Sequence, residues 1–253
     1  MHSQQIASSN LLRNQGPKHT LMTRTVGRSD LEQGIVFMKV LLVLGLLVLA
    51  ETLYAQSPIQ IDFKGCGVGD LPSGWTSRDQ KQMSKVYSVQ AEGERKYLRA
   101  DACNLSTQIC YETKWNINDY PILQWHWRAV IFPTGSNERI KAGNDSVLGV
   151  YVLLSGFPFV RAIKYIWSDT LPVGMTLDSP HSSGTKMIVV RSGRALTGTW
   201  VAEKRNVLSD YECLFGRKAE HPVAQGIAIL TDSDDTSSRA VGDYADISIC
   251  SLK

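Results

Sequence analysis

Several signatures of familiar chemistry are missing from this sequence. No P-loop or dinucleotide-binding glycine pattern occurs, so neither of the common phosphate cradles is present. There is no G-x-S-x-G elbow to hold a serine nucleophile. Beyond residue 55 the chain has only three histidines, His126, His181 and His221, and His181 stands beside Ser182 and Ser183 in a stretch that reads as loop. The five cysteines form no C-x-x-C and no Cys/His spacing suited to zinc. An excess of charge is also absent. Residues 1–55 hold five of the 27 basic and three of the 24 acidic side chains, which leaves 22 against 21 in the remainder. That balance gives no electrostatic case for nucleic acid or an anionic membrane. Internal repeats, low-complexity tracts and long linkers are not found, so residues 56–253 read as one domain of ordinary size.

Only one long apolar run is present, and it is short for a membrane span. It lies in Met38–Ser57, where Lys39 supplies a positive start, Val40 to Ala50 an apolar core, and Leu53-Tyr54-Ala55 a cleavage site. That order is a secretory signal peptide over 38–55, since a spanning helix needs about 20 apolar residues. Residues 1–37 are polar and aperiodic and precede this second methionine, so Met38 is the expected start of the natural product. The expected location is the periplasm or the extracellular space, with no membrane span in the mature chain, which is expected to be a monomer. All five cysteines, Cys66, Cys103, Cys110, Cys213 and Cys250, fall in the exported part, where disulfides are permitted and an odd count leaves one unpaired. Cys103 with Cys110, and Cys66 with Cys250, are the pairs considered; buried small hydrophobes are the other reading.

What is present in abundance is alternation. Strand signals recur at Ile59–Phe63, Lys85–Val89, Tyr97–Ala100, Gln108–Lys114, Ile122–Val130, Val147–Leu154, Ala162–Trp167, Met187–Arg191 and Trp200–Lys204, with turn-forming clusters separating many of them. In Ala224–Cys250, Ile227 and Ile229 fill one face of a strand while Ala228 and Leu230 fill the other, as a strand covered on both sides requires. Asp232 to Ser238 then form a polar loop, and Tyr244, Asp246 and Ser248 alternate with Ala245, Ile247 and Ile249. One helix is predicted, Val207 to Phe215, with Gly216 as its stop. Ten or more short strands with a single short helix predict an all-β antiparallel β-sandwich, most simply a jelly roll.

Candidate site residues come from three places. On the strand from Pro121 to Val130, Leu123, Trp125, Trp127 and Ala129 share the face assigned to the core. Gln124, His126 and Arg128 share the other, either as a strip able to hold sugar hydroxyls or a carboxylate or as a solvated surface. Asp145 sits in the turn Gly143–Ser146, and Tyr165 with Trp167 forms a pair read as packing, or as a stacking platform if exposed. Asp232, Asp234 and Asp235 crowd three carboxylates into four residues, a pattern that recruits hard cations such as calcium. Ser237 and Asp243 stand where an EF-hand has glycine and glutamate, and a solvent-exposed acidic turn is the preferred reading. Asp62 and Asp246, on the first and last strands, would share a structural ion if those strands pair.

Several stretches together resemble the secreted bacterial family known as domain of unknown function 3047. They are Leu123–Arg128, Gly143-Asn144-Asp145 leading into Val150–Val152, Tyr165–Ser168, Val189–Gly193, Arg205–Val207 through Asp210-Tyr211 to Phe215-Gly216, and Thr231–Thr236. The resemblance implies an exported β-sandwich related in shape to carbohydrate-binding modules, and it supplies no activity. It implies an arginine where this chain has His126, an aspartate at Asn144 and an arginine at Gly149, so a site built on those positions is altered here. Arg128, Asp145, Tyr165, Asp232 and Asp234 match the pattern. The leading functional expectation is a non-catalytic module binding a glycan or cell-envelope component. The alternatives are a carbohydrate-active lyase or hydrolase using the acidic loop, and a structural partner in an envelope complex.

Overall fold

The computed structural model describes residues 57–155, 160–216 and 223–252. The signal-peptide segment, the upstream residues and His221 lie outside the described residues. No helix among the described residues is long and apolar enough to cross a membrane.

The described residues form a two-sheet sandwich. The first sheet has β13 (Arg239–Cys250) at its centre, flanked on one side by β6 (Ile122–Ile131) and then β11 (Val201–Asn206). On its other side β13 pairs first with β4 (Arg95–Cys103), which carries β3 (Tyr87–Glu92), and further along with β1 (Ile59–Ile61). The second sheet runs in the order β2 (Trp75–Thr76), β5 (Ile109–Asn116), β12 (Val223–Leu230), β7 (Leu148–Leu154), β8 (Arg161–Ser168), β10 (Ser182–Ser192) and β9 (Thr176–Ser179). All pairs are antiparallel except β8 with β10, which is parallel. The chain passes from β8 to the edge strand β9 and returns as β10 between them, so the predicted antiparallel sandwich carries one parallel ladder.

Period-two alternation puts the aromatic rings between the sheets. Trp125, Trp127, Tyr165 and Trp167 are at most 1% exposed, and Trp125 lies 5.2 Å from Trp127 and 5.4 Å from Tyr165 between ring centres. The β12 strand is buried on both sides, as its sequence predicts: Ile227 and Ile229 join the main core, while Ala228 and Leu230 join Tyr151 and Ala162 on the outer face. At Gly242 of β13, a Cβ would lie 2.9 Å from the Val147 carbonyl and closer still to a Leu148 methyl, so the two sheets meet there over a residue without a side chain.

The helix over Val207–Phe215 (here α2) has its predicted bounds. Asn206 caps it by accepting from the Ser209 N–H, and Gly216 closes it at φ +63°. A second helix, α1 (Gln80–Val86), replaces the start of the strand expected at Lys85–Val89, which begins only at Tyr87. Asp79 accepts from the Gln82 N–H and Gln82 returns a side-chain bond, while Met83 and Val86 point into the core. The Asp79-x-x-Gln82 spacing was the available signal. The short strands β2 and β9 were also not predicted.

All five cysteines are free thiols. Cys103 ends β4 in one sheet and Cys110 belongs to β5 in the other. Antiparallel pairing of β1 with β13 sets Ile59 opposite Ile249, so Cys250 stands at the start of β1 while Cys66 lies beyond its far end.

Candidate functional site

The polar strip of β6 faces outward from the first sheet, but it is largely occupied by its own neighbours. Arg128 donates to Asp243 and to Glu92, each at 2.8 Å, and its guanidinium stacks over Trp200 and Tyr97. Asp243, fully buried, is also gripped by both arms of Arg99. Asp243 is therefore part of a charge clamp between strands, not the twelfth ligand of a calcium loop. His126 Nδ1 lies 3.4 Å from Asp246, which also pairs with Arg95 at 3.3 Å. Gln124, half-buried, stands between Lys204 and Ser248 in the ladder. The first and last strands pair as the Asp62–Asp246 idea required. However, Asp62 bonds the Lys64 N–H and pairs with its ammonium, and each of the two carboxylates has a cation of its own.

Tyr165 belongs to the core. Its hydroxyl donates to Asp210 of α2 at 2.9 Å, Asp210 is held by Arg205, and burial together with Asp210 pushes the phenol pKa well up. The packing reading of Tyr165 with Trp167 is the one the structure shows.

On the outer face of the second sheet, charged groups converge in a cavity of about 430 Å³. Its floor is the pair Lys164–Asp232, 3.7 Å apart and only 2% and 6% exposed in their side chains. Lys164 alternates outward between Ile163 and Tyr165 on β8, and its stem runs past Gly149, where a Cβ would stand 3.0 Å from Lys164 Cε. A side chain at residue 149 would crowd Lys164, so the glycine makes its room. The ammonium lies 5.4 Å from the centre of the Tyr151 ring. Gln108, His181, Asn144 and Arg78 contribute further polar walls.

The acidic loop is held in place by its neighbours. The Ser146 N–H donates to Asp232 at 2.5 Å, the Ser233 N–H donates to the Leu105 carbonyl, and the Ser233 hydroxyl donates to that of Ala102. Asp145, fully buried, accepts from the N–H groups of Asp235 and Thr236 and from the Thr236 hydroxyl. Ser237 sits at φ +51°, the left-handed turn its EF-hand alignment anticipates. The preferred reading of a solvent-exposed turn is corrected in part. Asp234 is exposed, but Asp232 and Ser233 are buried because the β4–β5 and β6–β7 connections close over them. Of the predicted residues, Asp145, Asp232 and Asp234 come together here, while Arg128, His126, Gln124 and Tyr165 do not.

Burial pushes the Asp232 carboxyl up to about 6, with Asp145 and Asp234 adding to the shift against the Lys164 charge and the Ser146 N–H. Burial opposes the charge on Lys164, but Asp232, Tyr151 and Glu138 outweigh it and hold the ammonium pKa above its ordinary value. Burial raises the Asp234 carboxyl too, helped by Asp145 and Asp235. The site thus presents a fixed cation, a carboxylate close to its titration point and several neutral donors and acceptors. Sequence reading missed Lys164, Tyr151 and the cavity role of His181. The one signal for Lys164 was a lone lysine inside an apolar strand.

The family described as protein of unknown function, DUF3047, matches residues 73–248. The chain belongs to this family. No curated protein matches its sequence. Among solved structures, this DUF3047 chain is similar to the family 11 carbohydrate-binding module of a cellulosomal cellulase from Clostridium thermocellum, with 4% identity, a TM-score of 0.40 and coverage of 78% of this chain and 95% of that one. It is similar to a xylan-binding family 22 module from Paenibacillus barcinonensis, with 13% identity, a TM-score of 0.36 and coverage of 79% and 97%. An endoglucanase from Rhodothermus marinus matches at 9% identity and a TM-score of 0.35, over 65% and 85% of the two chains.

Proposed function

We propose that this DUF3047 chain is an exported, non-catalytic module that binds a glycan or another hydroxyl-rich component of the cell envelope in the cavity over Lys164 and Asp232. The carrying observation is the buried Lys164–Asp232 pair at the floor of a cavity on the outside of a sheet. An outer sheet face needs no ion pair for stability, and well-packed apolar residues would serve at least as well there. Donors and acceptors of both kinds line a space within the size range of small-ligand sites. Sugar hydroxyls, which donate and accept, suit that mixture.

Binding of soluble envelope polysaccharides, measured by isothermal titration with the full-length chain, tests this. Lys164→Met is expected to weaken binding at least tenfold, and Gln124→Ala on the opposite sheet to leave it unchanged. If Gln124→Ala abolished binding while Lys164→Met kept it, the site would belong to the first sheet. Export is tested by N-terminal sequencing of the natural protein, for which a start near Gln56 is expected.

One observation favours a second reading. A carboxyl titrating at about 6 beside an ammonium in a cavity is suited to general acid–base work on a glycan. Such a lyase or hydrolase would use Asp232 without Tyr165 or Arg128, which lie elsewhere. Release of reducing or unsaturated ends, lost in Asp232→Asn while binding persists, would select it.

A further inference from the structure

Asp234 and Asp235 line the cavity, and with the buried Asp145 each presents an oxygen, the three oxygens lying within 4.8 Å of one another. A hard cation takes oxygen ligands at about 2.4 Å, so a small inward turn of these side chains lets one ion meet all three. An acidic cluster by itself is a common feature of turns, and the independent observation here is Asn144. Asn144 precedes Asp145 and borders the cavity with Asp234 and Asp235; it is 5% exposed, and its buried Oδ1 accepts no hydrogen bond. A buried carbonyl oxygen without a donor is destabilising, and a divalent cation satisfies a carbonyl and carboxylates together.

The cations near the cluster do not answer its charge. Lys164 is paired with Asp232, and His181 reaches only Asp235, at 2.7 Å, from the turn before β10. The hydrogen bonds Asp145 accepts fix the loop around it: Oδ2 takes two from Thr236, while Oδ1 takes one from the Asp235 N–H and keeps a second acceptor position.

We propose that Asn144, Asp145, Asp234 and Asp235 form a binding site for a calcium-type divalent cation. Three carboxylates and a carbonyl favour calcium, which takes many oxygen ligands in flexible geometry. Magnesium keeps its waters and takes one or two carboxylates. The site stands whether or not the cavity binds a glycan.

The experiment uses the full-length chain stripped with chelator, titrated with calcium chloride and, separately, magnesium chloride, and read by isothermal titration and by Tm. Calcium is expected to bind saturably and raise Tm, with magnesium at least tenfold weaker. Asp234→Asn is expected to weaken calcium binding at least tenfold, and Asn144→Asp, which adds a charged ligand in the same shape, to strengthen it. A folded wild-type chain that shows no calcium response would overturn the proposal, as would a response undiminished in Asp234→Asn or magnesium binding equal to calcium. Polysaccharide binding measured with and without calcium on the same sample separates this outcome from failure of the glycan reading.

Discussion

Lys164 and Asp232 show how a single buried pair sets the behaviour of a site. Because the folded Asp232 carboxyl is raised to about 6 from an ordinary 3.8, its protonation stabilises the fold. That contribution is complete below pH 3.8 and is lost as pH rises through about 6. Removing Lys164 leaves Asp232 without its counter-ion, and breaking a buried pair costs about 3–5 kcal/mol when the remaining charge persists. Lys164→Met is therefore expected to destabilise more at pH 8 than at pH 5, where Asp232 is neutral; urea midpoints at the two pH values check it. Glu138 makes a parallel case. It is fully buried, its Oε2 accepts from the Ser168 hydroxyl, and its Oε1 has no partner. Burial raises its carboxyl above the ordinary value, so the stability it contributes is present at low pH and lost as pH rises through the folded value. Glu138→Gln is expected to raise the urea midpoint at pH 8 and to change little at pH 4.

At the scale of the elements, β13 organises the first sheet, and at Gly242 it packs closely on the second. Gly242→Ala forces a methyl against the Val147 carbonyl and Leu148, and overpacking of this kind costs about 1–3 kcal/mol. A lower urea midpoint with an unchanged slope is the expected result. Most strands were legible because each alternates, and β12 was legible as doubly covered because both of its faces are apolar. Helix α2 was legible from its cap-to-glycine frame. The start of α1 was misread because Lys85–Val89 alternates like a strand, and the cap at Asp79 outweighs that pattern only through contacts of Met83 and Val86. The parallel ladder of β8 with β10 left no local trace, since sequence period reports faces and not neighbours. The candidate site was legible in its acids and illegible in its lysine. Asp145 joins Asp234 and Asp235 across a separation in sequence that only the folded loops close.

For the whole molecule, the sandwich does not depend on covalent cross-links. The chain ends of the described domain are held by the β1–β13 ladder, with the cysteines placed apart. Thiol titration of the unreduced, unfolded protein is expected to find all five cysteines reactive; four or fewer would mean a bridge. The large exposed apolar residues, such as Val68, Ile140, Val160 and Val173, come from separate connections of the chain.

The ring stack between the sheets has an optical consequence. Indoles and a phenol whose centres lie 5.2 to 6.0 Å apart couple their electronic transitions. The far-ultraviolet dichroism of this protein should carry an exciton couplet over its sheet signal, and a spectral fit based on peptide bands alone would misjudge its strand content. Trp125→Phe would weaken the couplet to the remaining Trp127–Trp167 coupling while leaving the ladders intact, giving a way to watch the two layers separate independently of the backbone.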